Sequence, residues 1–159
     1  MFRCDPIGFI HTPFTDLQGI PIQPIGARGV EGSLELKPKF SAGLKDVEGF
    51  SHLIILYQFH CSKGFSLTVR PFLDSRRHGV FATRAPRRPN PIGMSVVRLI
   101  RRERAVLWVL DIDVVDGTPL LDIKPYVPEF DVRKAVRIGW LGGKAKRARR
   151  FRSDRRFVS

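Results

Sequence analysis

Apolar and polar positions alternate over short stretches, with no sustained helical period. Ser33–Lys37 alternates, and His52–His60 is a nearly continuous apolar run of the kind buried strands show. Leu67–Phe72 and Val80–Thr83 are further strand patterns. The clearest pair is Ser95–Arg101 with Ala105–Val115, joined by the charged turn Arg102-Glu103-Arg104. Period two over the second partner places Val106, Trp108, Leu110, Ile112 and Val114 on one face. Asp111 and Asp113 then fall on the other, which reads as a solvated strand face. Asp116-Gly117 is a tight-turn signal that leads into Leu120–Lys124. Twelve prolines and fourteen glycines interrupt any longer helical pattern, leaving one short helical turn near Leu44–Glu48. Many short strands joined by Gly/Pro turns predict an all-β fold, a small barrel or sandwich.

Composition narrows the function classes. The 159 residues are 43% hydrophobic, enough for a packed core. Two cysteines, Cys4 and Cys61, make neither a disulfide framework nor a Cys4 zinc site. The first residues lack the apolar segment of a signal peptide, and Leu53–Tyr57 is too short to span a bilayer. The expectation is a soluble domain of a reducing, cytoplasmic compartment. The formal charge of +13 suggests an anionic partner, with nucleic acid first. Residues 1–131 hold 17 basic against 14 acidic side chains, whereas residues 132–159 hold 11 against 1. The chain therefore divides into a barrel domain, 1–131, and a basic extension, 132–159. Within the extension, Ala145, Ala148 and Phe151 make only a thin apolar stripe, too little to hold a helix on a core. A solvated end and an RNA phosphate contact both fit that pattern.

Candidate chemistry is sparse. His52 and His60, eight positions apart on one strand, stand about 26 Å from each other and cannot share a metal. No metal motif, dinucleotide fingerprint, phosphate loop or nucleophile elbow occurs. His60 beside Cys61 is placed to line a pocket mouth. Arg84-Ala85-Pro86-Arg87-Arg88-Pro89-Asn90-Pro91 sets three arginines in a loop stiffened by prolines, suited to carboxylate or phosphate oxygens. The amide of Asn90 can hold an exocyclic amino group. Asp122, between Leu121 and Ile123, is a candidate site carboxylate, and a paired structural carboxylate is an equal reading.

Longer motifs carry a family resemblance. Ile7-Gly8-Phe9-Ile10-His11-Thr12-Pro13-Phe14, Glu48-Gly49-Phe50-Ser51-His52 and Phe59-His60 occur in order. They are followed by Gly79–Arg84 running through Arg88–Ser95, and by Asp116–Tyr126. Over residues 5–131 the chain resembles the TsaA-like family of tRNA N6-threonylcarbamoyladenosine N6-methyltransferases. The resemblance implies a β-barrel without a Rossmann fold that acts as a homodimer, binds S-adenosylmethionine and methylates N6 of the modified adenosine at position 37 of tRNA. It implies cofactor contacts at Pro21, Ile22, Gln23, His60, Cys61, Arg84 and Met94, and at the turn of Gly117, Thr118, Pro119 and Leu120. Ile22 stands where bacterial members typically carry arginine. For the threonyl carboxylate of the substrate, Arg87 and Arg88 are the candidates. Asp122 is the first choice of general base, with Tyr126 and His60 as alternatives, and Asn90 would hold the substrate amide. A non-catalytic RNA-binding module and a methyltransferase for another small substrate are the competing readings.

Overall fold

A computed structural model describes residues 3–134 and 136–158. Six antiparallel strands close a barrel in the order β1-β2-β7-β6-β3-β8. These are β1 (Gly8–His11), β2 (Glu31–Leu36), β3 (His52–Gln58), β6 (Ile92–Glu103), β7 (Val106–Leu110) and β8 (Thr118–Pro125). β4 (Thr68–Val69) and β5 (His78–Gly79) form a small separate pair, and α1 (Pro128–Asp131) is a single turn. Closure comes from β1, which pairs with β2 on one side and with β8 on the other. It removes the unpaired edges an open sheet would expose.

The core follows from period-two alternation. Ile10, Leu34, Leu53, Ile55, Val97, Leu107, Val109 and Leu120 have no solvent exposure and fill the barrel. Two register shifts bend the wall, one between Leu56 and Tyr57 against β8 and one between Leu99 and Arg101 against β7.

Several expected boundaries move. The Ala105–Val115 strand ends at Leu110, because Asp111 turns left-handed at φ 69°. That residue also breaks the phase. Leu107 and Val109 point inward, not Val106, Trp108 and Leu110, whereas Ile112 and Val114 beyond the break are buried as expected. Leu67–Phe72 contributes only the two residues of β4, and Val80–Ala82 is a 3-10 turn rather than a strand. Thr83 stabilises that turn, its amide and hydroxyl both donating to the Val80 carbonyl at 3.1 and 2.8 Å. Around the expected helical turn, 3-10 segments run over Pro38–Leu44 and Val47–Gly49, separated by Asp46 at φ 69°.

The basic extension is the largest departure. It is not a frayed end: residues 139–157 form short 3-10 turns that lie back on the barrel side. Ala148 is buried, and Phe157 completes a second apolar cluster with Val69, Val80, Ala85 and Phe72. Arg152 bridges Pro21 in antiparallel fashion, and Ser153 exchanges backbone bonds with Gly19 and Ile20, both at 2.8 Å. The holding contacts are spread over Trp140, Lys144, Phe157 and backbone groups, so a stripe count within 144–152 could not register them. Among the described residues no helix is long and apolar enough to cross a membrane.

Candidate functional site

The extension and the barrel enclose a cavity of about 970 Å³. The end of β3 with Phe59–Ser62, the start of β6, residues 113–115 and Thr118 form its barrel side. Pro21–Ile25 and the Phe81–Arg88 loop form the flanks, and Trp140, Leu141, Ala148 and Phe157 form the outer wall. The lining is mostly apolar with a few converging polar groups, the general character of a small-molecule site.

Two polar groupings define it. On one flank, Arg84 Nη1 donates to Gln23 Oε1 at 2.7 Å. The amide accepts without neutralising the guanidinium, so the fork is steadied and still carries its charge toward an anionic ligand. At the barrel end, Asp113 Oδ1 accepts from Ser95 Oγ at 2.5 Å, and the Tyr57 hydroxyl lies 3.0 Å from the same Ser95 oxygen. Burial pushes the Asp113 carboxyl up to about 7, against opposing contributions from the Ser95 hydrogen bond and the Arg84 charge. Burial, with the Asp113 charge second, also holds the Tyr57 phenol well above its ordinary value.

The outer wall is latched by charge and stacking. Asp74 receives His78 Nε2 and Lys144 Nζ, each at 2.9 Å. Its carboxyl is held far below the usual carboxylate range, first by the His78 hydrogen bond and then by Lys144. The His78 ring stacks on Trp140 at 4.5 Å and 18°, and Trp140 Nε1 donates to the Ala82 carbonyl at 2.8 Å. Beside this wall Lys146, Arg147, Arg149, Arg150, Arg152 and Arg155 are exposed.

Of the residues singled out from sequence, Pro21, Ile22, Gln23, His60, Cys61, Arg84, Met94 and Thr118 line the cavity, as does Arg88. His60 Nε2 lies 3.4 Å from Cys61 Sγ. Arg88 Nη1 donates to the carbonyls of Thr83 and Ala85 at 2.9 and 3.1 Å, so part of its fork shapes the loop. Gly117, Pro119 and Leu120 do not line the cavity; Leu120 faces the barrel core with no exposure. Arg87 and Asn90 are also outside the lining. Asp122 and Tyr126 are not brought to this cavity either. Asp122 lies on the outer part of β8, 44% exposed and 2.7 Å from Lys124 Nζ, and Tyr126 packs edge-on against His52. The sequence reading missed Asp113, Ser95 and Tyr57. The available signal was Asp113 between Ile112 and Val114, masked by assuming an unbroken strand through Asp111.

Residues 9–132 match the family model for the tRNA-methyltransferase O N-terminal domain. The chain is 56% identical over 154 residues to a probable S-adenosyl-L-methionine-binding protein of Pyrococcus abyssi, covering 97% of this chain and 84% of that one. It is 40% identical over 137 residues to the tRNA (adenine(37)-N6)-methyltransferase of Escherichia coli, covering 80% of this chain and 58% of that one. The crystal structure of TrmO from Pseudomonas aeruginosa superposes with a TM-score of 0.73 at 43% identity, over 88% of this chain and 62% of that one. The chain therefore spans only about three-fifths of these last two relatives.

Proposed function

The chain belongs to the tRNA-methyltransferase O N-terminal domain family, and on that premise we propose that it is an S-adenosylmethionine-dependent methyltransferase acting on N6 of N6-threonylcarbamoyladenosine at position 37 of tRNA. One observation carries the reading. The cavity combines an apolar lining with a charged guanidinium that Gln23 steadies without neutralising. Those features suit a nucleoside joined to an amino acid: Arg84 for the carboxylate, and apolar walls with turn backbone for the adenosine. When bound, S-adenosylmethionine supplies a methyl group on a positively charged sulfur.

The chain's own work is then alignment. Pro21–Gln23 on one flank and Met94 with Thr118 on the barrel side fix the donor, so that N6 approaches the methyl carbon in line. Arg88, on the cavity wall, meets the threonyl carboxylate of the substrate, with Arg87 on the same loop as the second candidate. The six exposed cations beside the outer wall contact tRNA phosphates next to the cavity mouth. The enzyme acts as a homodimer in the cytoplasm.

The test incubates the protein with methyl-labelled S-adenosylmethionine and tRNA, with and without the threonylcarbamoyl group, and identifies the labelled nucleoside after digestion. Label in N6-methylated threonylcarbamoyladenosine is expected, from modified tRNA only. Label in another nucleoside, or none, rejects the reading. Arg88→Ala should lose the preference for modified tRNA, and light scattering should return twice the chain mass.

A further inference from the structure

Asp113 has no part in binding as described above. Yet of the two carboxyls that line the cavity among the described residues, Asp113 and Asp154, it is the one that burial pushes upward and that no cation pairs. Ile112 and Val114 are buried on either side, which fixes the backbone and directs the intervening side chain to the cavity end. Ser95, 2% exposed, gives its one hydroxyl proton to Oδ1. The Tyr57 hydroxyl must therefore be the donor in the 3.0 Å bond to Ser95. The carboxylate is held from behind by the Ser95 hydroxyl of β6, which is oriented in turn by the Tyr57 hydroxyl of β3. The titratable and charged groups acting on it are Tyr57 from β3 and Arg84 from the flanking loop. Asp122, the carboxylate favoured from sequence, differs in each respect: it is exposed and ion-paired to Lys124.

We propose that Asp113 is the catalytic residue that accepts the N6 proton during methyl transfer, with Ser95 and Tyr57 as positioning residues. The N6 lone pair forms the new N–C bond, and the electrons of the breaking C–S bond return to sulfur. The N6–H electrons return to nitrogen as the proton passes to Oδ2 of Asp113. A positive sulfonium and a negative carboxylate are thereby both discharged, so no net charge is created in a poorly solvated site. A carboxyl that titrates near neutrality is about half ionised at neutral pH and is basic enough to take a proton.

This inference rests on the methyltransferase reading, and the experiment separates the two. Single-turnover transfer to threonylcarbamoyl-tRNA is followed against pH for the wild type, Asp113→Asn and Ser95→Ala. Alongside it, calorimetry gives S-adenosylmethionine affinity, and carbon NMR of labelled aspartate follows the free protein. The wild-type rate should rise with pH to a plateau above about 7, matching a carboxyl that titrates in the same range. Asp113→Asn should lower the plateau by about 10²–10⁴-fold and flatten the profile, with cofactor affinity kept within about twofold. Ser95→Ala removes a hydrogen bond that favours the ionised form, so its inflection should move to higher pH, a shift that a merely structural role would not produce. An unchanged profile in Asp113→Asn overturns the assignment, as does a loss of cofactor affinity that matches the loss of rate. Absence of any aspartate titrating above about pH 6 overturns it too. A wild type that transfers nothing to modified tRNA overturns the parent reading, and this one with it.

Discussion

Replacing Phe157 with alanine should open the outer wall of the cavity and leave the barrel intact. Phe157 is 8% exposed and packs with Val69, Val80, Ala85 and Phe72, a cluster that shares no residue with the barrel core. Truncating a buried phenylalanine costs about 3–5 kcal/mol. This cluster is small and borders the cavity, so the lower end applies, about 3 kcal/mol. At about 1.4 kcal/mol per decade, the equilibrium for local opening of the extension rises roughly 100-fold. Hydrogen exchange reads this directly. The amides of Gly19, Ile20 and Ser153 are tied across the junction by bonds of 2.8 Å, and their exchange should accelerate by about that factor. Amides of β3, whose partners are β6 and β8, should keep wild-type rates. Acceleration of barrel and junction together would refute the idea of a separately anchored wall. No acceleration at the junction would refute Phe157 as its anchor.

Further outcomes follow from the same structure. Asp74 has a depressed carboxyl in the folded state, so its contribution is present above the unfolded value near 3.9 and is lost as pH falls through the folded one. Asp74→Asn should therefore narrow the difference in urea midpoint between pH 7 and pH 3, and an unchanged difference would count against the latch. Gly93→Ala would drive its new Cβ into the Tyr57 ring and against Phe59, costing about 1–3 kcal/mol in a denaturant melt; a neutral result would mean that Tyr57 is not fixed. Converting Arg149, Arg150 and Arg152 together to glutamine should weaken tRNA binding and reduce the salt slope by about 2, leaving cofactor affinity alone; an unchanged slope would remove the extension from the RNA interface.

What could be read ahead of the structure divides along physical lines. The strand around His52–Gln58 was legible because a short continuous apolar run reads as a buried strand, and Leu120–Lys124 because the Asp116-Gly117 turn announces it. The Arg84 loop was legible for a different reason: prolines and arginines together announce a stiff, charged segment. Asp113 was not, because one left-handed residue, Asp111, shifts the phase, and nothing local announces that turn. The extension was misjudged because its partners lie far away in sequence. Trp140 finds His78, Lys144 finds Asp74 and Phe157 finds Val80, none of which shows in a window around residue 148. The Gly117–Leu120 turn shows the converse limit. The motif was recognised, but Thr118 and Leu120 share the inward face of β8, and only Thr118 lines the cavity whereas Leu120 lies in the barrel core.

The central claim is that the cavity between barrel and extension holds the methyl donor, with Arg84 on its carboxylate. Calorimetric titration of S-adenosylmethionine into the wild type and Arg84→Ala tests it most directly. Loss of a charge-assisted hydrogen bond of about 1.5–3 kcal/mol predicts affinity weaker by roughly 10- to 100-fold, with an unchanged melting temperature. Equal affinity in the two proteins would contradict the account.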